Sequence, residues 1–155
     1  MTHKLLLPAI AGALTFGTVS ANADLEAQKA AGQAQYALCL GCHGPDATGL
    51  KVGEQLMAPS MHGSKIINGD AANLAKVIMK GIQKEDAKYL GIMAPLEAVL
   101  DDQKLADVMT YVRNSYGNKA SAVTKEEAAS YRAKWKDVKG PVKRADIEAA
   151  AGGAK

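Results

Sequence analysis

Cys39-Leu40-Gly41-Cys42-His43 is the stretch on which this sequence turns. It holds both cysteines of a 155-residue chain, with a histidine directly behind the second. Four chemistries share the pattern: a redox dithiol, a zinc site, a short-range disulfide and the covalent attachment of a haem. The flanking sequence separates them. A redox dithiol of the thioredoxin kind follows a strand, whereas a helix-like stretch precedes Cys39. A zinc site usually draws on a second Cys or His pair, and His62 alone does not supply one. A disulfide closed across two residues constrains the unfolded chain very little.

The start of the chain points the same way. His3 and Lys4 form a short basic opening, residues 5–19 are apolar, and Ala21-Asn22-Ala23 puts small residues at the positions a signal peptidase reads. The apolar run is short for a bilayer span, which needs about 20 residues. No basic stop signal follows it and no cysteine stands at the cleavage point. Residues 1–23 therefore read as a secretory signal cleaved after Ala23, with a periplasmic destination and no membrane insertion once it is removed. In an exported chain, Cys-x-x-Cys-His reads as a c-type haem site. Two thiols add across the two vinyl groups of one haem, and His43 ligates the iron through an imidazole nitrogen.

Composition leaves room for such a group. Aromatic residues make up only 5% of the chain, and its one phenylalanine, Phe16, leaves with the signal. Taking 23 residues from 155 leaves a 132-residue mature chain with 18 basic and 16 acidic residues, a net charge of +2. That charge is too small for a nucleic-acid binder relying on a basic face. The hydrophobic content of 48% is that of a folded globule. A large flat apolar cofactor takes the place that Phe and Trp would fill in the core.

Periodicity predicts helices over residues 24–38, 68–83, 101–116 and 124–138. Gly32 is costly inside the first and suggests close approach by another element. Asn68 or Asp70 caps the second, and Asp101 the third, which Gly117 ends. Thr124 and Glu127 have capping-box spacing for the fourth, where Ala128, Tyr131 and Trp135 share a face that either packs on the globule or docks a partner. Residues 44–63 read as a long irregular loop, and residues 145–155, rich in Ala and Gly, as a fraying tail. For a second axial ligand the mature chain offers Met57, Met61, Met79, Met93, Met109 and His62. Met79 and Met109 fall in apolar helical patterns. Met93 stands in the Gly- and Pro-punctuated stretch Tyr89-Leu90-Gly91-Ile92-Met93-Ala94-Pro95, where a thioether can reach over a haem face. His62 is its main rival.

Over roughly residues 25–118 the chain resembles the class I, mono-haem cytochrome c family of bacterial periplasmic c-type cytochromes. Gly32-x-x-x-Tyr36-x-x-Cys39 is similar to that family's first helix, and Tyr111 to the aromatic of its last. The resemblance implies an all-α cytochrome c fold, with three core helices around one covalently bound haem c and an additional C-terminal helix. It divides the chain into a signal (1–23), a cytochrome c domain (24–118) and a C-terminal extension with a flexible tail (119–155). It implies that the Pro59 carbonyl holds His43, the proximal ligand, and that Met93, 50 residues after His43, is the axial methionine. Here Met93-Ala94-Pro95 stands where the family often has Met-Pro. A looser likeness around residues 117–124 points to cytochromes associated with quinoprotein dehydrogenases and terminal oxidases.

The function expected from this reading is that of a monomeric periplasmic electron carrier rather than an enzyme. It passes single electrons from a dehydrogenase to a terminal oxidase or other acceptor. Lys51, Lys65, Lys76, Lys80, Lys84 and Lys88 either steer an acidic partner or are simply solvated. Two alternatives stand beside it: a subunit of a quinoprotein dehydrogenase complex, and a five-coordinate sensor or peroxidase if Met93 does not bind. The composition itself is testable. A Cys39→Ala/Cys42→Ala double variant, unable to retain haem covalently, is expected to lose most of its far-UV helical signal; a compact, fully helical variant would overturn the inference.

Overall fold

The computed structural model describes residues 21–84 and 89–152. Helix α1 (Ala21–Gln35) runs into a 3-10 turn (Tyr36–Leu38) and then the one-turn helix α2 (Leu40–His43). Strands β1 (Lys51–Val52) and β2 (Gln55–Leu56) form a small antiparallel hairpin, with Lys51 opposite Leu56 and Val52 opposite Gln55. Helices α3 (Lys65–Asn68), α4 (Ala71–Lys80), α5 (Asp102–Arg113), α6 (Lys125–Trp135) and α7 (Arg144–Gly152) follow. The all-α class is as expected. The helix expected over residues 68–83 is α4 alone, shorter at both ends, and the one-turn α3 before it was not expected. The expected irregular loop contains the hairpin, whose turn places Gly53 at φ 61°. The signal expected over residues 1–23 lies outside the described residues, apart from 21–23.

The helix starts follow the sequence closely. Asp70 Oδ1 accepts from Ala72 N at 2.9 Å, and Asp101 Oδ1 from Lys104 N at 2.8 Å. At α6 the capping box is complete: Glu127 N donates to Thr124 Oγ1 at 3.1 Å, and Thr124 N to Glu127 Oε2 at 2.8 Å. Each cap satisfies amide donors that a helix start leaves open. The third expected helix ends at Arg113, before Gly117. Tyr116, at φ 57°, has already turned the chain there. Asn118 Nδ2 then donates to the Val112 carbonyl at 2.9 Å, closing the helix end from outside.

The core lies between α1, α4 and α5. Leu74, Ile78, Leu105, Val108 and Val112 are buried in it, together with the fully enclosed Met79 and Met109. The α1–α5 crossing depends on Gly32. A Cβ there would stand 2.1 Å from the Asp107 carbonyl oxygen and 2.6 Å from Tyr111 Cβ. The two backbones touch, so no larger residue fits without separating the helices.

The C-terminal extension is packed rather than appended. Trp135 Nε1 donates to the Ala72 carbonyl at 2.7 Å, while Lys76 and Lys134 each place their ammonium 4.8 Å from the indole centroid. Arg132 donates to Asp102 Oδ1 and to the Leu100 carbonyl, both at 2.7 Å. The Tyr131/Trp135 face is thus used inside the molecule. Nor does the tail fray from Ala145. Residues 144–152 are helical, and Ile147 is fully buried against Ile82 and Val142. One isoleucine with a waiting apolar partner outweighs an Ala- and Gly-rich composition. There are therefore two C-terminal helices where one was expected.

Gly32→Ala gains about 1 kcal/mol of helix propensity but must force two backbones apart, at a cost near the upper end of the roughly 1–3 kcal/mol of overpacking. Denaturant unfolding of the holoprotein is expected to show a net loss of about 2 kcal/mol.

Candidate cofactor site

A single helical turn carries the motif. His43 N donates to the Cys39 carbonyl at 2.9 Å and Gly44 N to the Leu40 carbonyl at 3.0 Å. Positions i, i+3 and i+4 of one turn share a face, so Cys39, Cys42 and His43 all line one cavity. Gly44 ends the turn at φ 73° and ψ 167°, a conformation essentially confined to glycine. Its carbonyl accepts from Tyr36 Oη at 3.0 Å. Tyr36 also packs on Tyr111 and Tyr116, with ring centroids 5.5 and 5.7 Å away. The tyrosine cluster thus ties the motif to the α1–α5 crossing.

The cavity has a volume of about 230 Å³. Its walls include Ile66, Ile78, Leu96, Val108 and Val112, together with Pro59 and Met93. So large an apolar void is costly in a core of this size unless a group fills it.

Met93 reaches the wall on a pinned backbone. Its N–H donates to the Ile82 carbonyl at 3.0 Å, and its own carbonyl accepts from Ile82 N at 3.0 Å. The same loop is tied to the hairpin, where Leu90 N donates to the Leu56 carbonyl at 2.9 Å and Gly91 N to the Met57 carbonyl at 3.1 Å. Met57 and Met61 also line the cavity; His62 does not. His62 is exposed, with Nε2 2.7 Å from the Asp46 carbonyl oxygen. Arg144, from the extension, lines the cavity as well. No local motif marks it, because its position depends on how α7 docks.

Burial sets the electrostatics. The Cys39 thiol is pushed up to about 11, first by burial and then by Cys42. A redox dithiol needs the opposite shift, toward thiolate. Both cysteines are free thiols. Burial pushes the His43 imidazole down, the Pro59 carbonyl acts upward, and the Arg144 charge acts downward again. The ring is neutral as a result, the state in which imidazole ligates metal. His43 Nδ1 is buried and makes no hydrogen bond of good geometry; the Pro59 carbonyl is the acceptor that acts on the ring. Among the described residues no three His, Cys, Asp or Glu side chains form a metal-binding group.

Two free thiols, a neutral imidazole and thioether sulfurs around one apolar cavity make the donor set of a haem protein whose cofactor is bound through its periphery and its iron. The chain belongs to the cytochrome c family: the family model described as Cytochrome c matches residues 29–115. That span contains the motif, Pro59, Met93 and Tyr111. No curated protein matches the chain. Family membership brings a covalently attached haem c with its iron, and the two cysteines, the His43 imidazole and the apolar walls, which line one cavity, fit that group.

The six lysines named as steering or solvated candidates do not share one environment. Lys80 is buried, its ammonium 2.6 Å from Glu97 Oε2, and Lys76 stacks on Trp135. Lys51, Lys65 and Lys84 are exposed, and Lys88 lies outside the described residues.

Tyr36 carries a pH signature. Burial is the main force pushing its phenol up to about 12. An unfolded phenol ionises near pH 10, so above that pH the unfolded state binds fewer protons and stability falls until the folded phenol ionises too. Tyr36→Phe is expected to flatten the fall between pH 10 and about 12 in denaturant titrations; an unchanged slope would place the effect elsewhere.

Proposed function

We propose that this chain is an exported, monomeric electron carrier that exchanges single electrons between redox proteins. The observation that carries the reading is the convergence of Cys39, Cys42, His43 and Met93 on one apolar cavity. Haem c supplies a one-electron Fe(III)/Fe(II) couple. Cys39 and Cys42 would hold it by thioethers, His43 and Met93 would ligate its iron, and Pro59 would orient the His43 ring through its carbonyl. A thioether ligand favours the ferrous state and raises the potential. The role asks no side chain to act as acid, base or nucleophile.

Leu38 and Ile92 both line the cavity and are more than half exposed, at 52% and 54%. An apolar rim suits brief contact with a partner. The donor in this reading is a dehydrogenase and the acceptor a terminal oxidase or another reductase, with no part for nucleic acid. Export rests on the basic start, apolar run and Ala21-Asn22-Ala23 of the sequence. No helix among the described residues is long and apolar enough to cross a membrane. The dehydrogenase-subunit reading loses its docking element, because Trp135 is engaged within the molecule. The five-coordinate sensor reading applies if Met93, although in the cavity wall, does not bind the iron.

Redox titration of the purified protein followed by absorbance is expected to give a single one-electron transition and low-spin spectra in both states. Met93→Ala is expected to lower the midpoint on the order of 0.1 V, within the roughly 0.8 V that axial ligands span, and to make the ferric form high-spin. A high-spin wild-type ferric spectrum would remove the carrier reading.

A further inference from the structure

Residues 81–83 are held on both sides. On one side Ile82 pairs with Met93 through the two 3.0 Å bonds already described. On the other, Ile82 pairs in parallel with Val142: Val142 N donates to the Gly81 carbonyl at 3.1 Å, and Gln83 N to the Val142 carbonyl at 3.0 Å. Met93, Ile82 and Val142 are thus joined by two bridges beside the cavity, the outer one supplied by the C-terminal extension. The fit is close at two further points. A Cβ on Gly81 would stand 2.1 Å from the Met93 carbonyl oxygen, and one on Gly140 would stand 2.0 Å from the Lys80 carbonyl oxygen.

Two side chains of the same segment lock it down. Ile147 is fully buried in a small cluster with Ile82 and Val142, and Met93 packs against that cluster. Arg144 lies over the Tyr89 ring, 5.5 Å from its centroid, and Tyr89 belongs to the loop that leads into Met93. All of these residues, from Gly140 to Ile147, lie beyond the span matched by the family model, which stops at 115.

We propose that residues 140–147 are a clasp that positions the Met93 loop and resists displacement of Met93 from the iron. The proposal rests on Met93 being the axial ligand. Without the clasp, Ile82 would offer the loop a single bridge with a water-exposed far edge, and short unsupported pairings of this kind are marginal. With it, Ile82 is held from its far side, so opening the Met93 loop breaks the Ile82–Met93 bridge against a fixed partner and pulls Met93 off the packed Ile82, Val142 and Ile147 cluster. Val142, Ile147 and Arg144 act on the iron only through Met93 and its loop, as positioning residues.

Imidazole binding to the ferric holoprotein reads this directly, since added imidazole must displace the sixth ligand. Val142→Pro removes the donor to Gly81; Ile147→Ala leaves every backbone bond possible and removes only the pin. Each variant is expected to bind imidazole about fivefold tighter, which for Val142→Pro is the factor of one net hydrogen bond, with haem content and helicity unchanged. Should Val142→Pro fail to fold, Ile147→Ala decides alone. Amide exchange supplies the second readout. In Ile147→Ala the Ile82 and Met93 amides are expected to exchange faster together with those of Gln83 and Val142, while α5 amides stay as they were. Unchanged imidazole affinity in the folded variants, or faster exchange confined to Gln83 and Val142, overturns the clasp. A wild-type ferric protein without the methionine-to-iron charge-transfer band instead overturns Met93 as ligand, and the exchange experiment still reports on the clasp by itself.

Discussion

Three reactive side chains on one helical turn must face an apolar cavity that stays open, and most of the fold serves that requirement. The turn at residues 39–43 is too short to hold itself. Its end is fixed by the Gly44 conformation and by the Tyr36 hydroxyl on the Gly44 carbonyl. Tyr36 is fixed in turn by Tyr111 and Tyr116, and Tyr111 is where it is because Gly32 lets α1 and α5 touch. A helix crossing with no room for a methyl group thereby sets the position of two thiols and an imidazole.

The opposite wall is built differently. Met93 sits on a segment with no helix of its own, and its precision comes from backbone pairing with Ile82 and from the Gly91–Met57 contact. One wall is positioned by side-chain packing and the other by short-range strand-like bonds. An apolar cavity between them would tend to collapse if nothing filled it, which ties the order of both walls to the cofactor.

Much of this was legible in the sequence because the signals were local. The capping residues Asp70, Asp101 and Thr124 with Glu127 each report on the next turn of chain, and all three helix starts are found beside them. Gly32 stood out because a glycine inside a helix asks for a reason. The axial and attachment candidates were legible as residue types at a fixed spacing. What stayed hidden is long-range. Nothing near Lys80 shows that it pairs with Glu97, so it read as a surface lysine. Nothing near Ile147 shows that Ile82 and Val142 wait for it, so its segment read as a frayed tail. Arg144 at the cavity wall is hidden for the same reason. The β1–β2 hairpin is only two residues a side, too short for an alternating pattern to show.

The central proposal is that His43 and Met93 together ligate one iron, although Met57 and Met61 also line the cavity. The proton NMR spectrum of the ferrous holoprotein tests it most directly, because a methionine methyl bound over a haem face is carried far upfield by the ring current. A single such methyl, assigned to Met93 by its absence from Met93→Ala and its persistence in Met57→Leu and Met61→Leu, is the expected result. No upfield methyl, or one that disappears with Met57 or Met61 instead, would contradict the account.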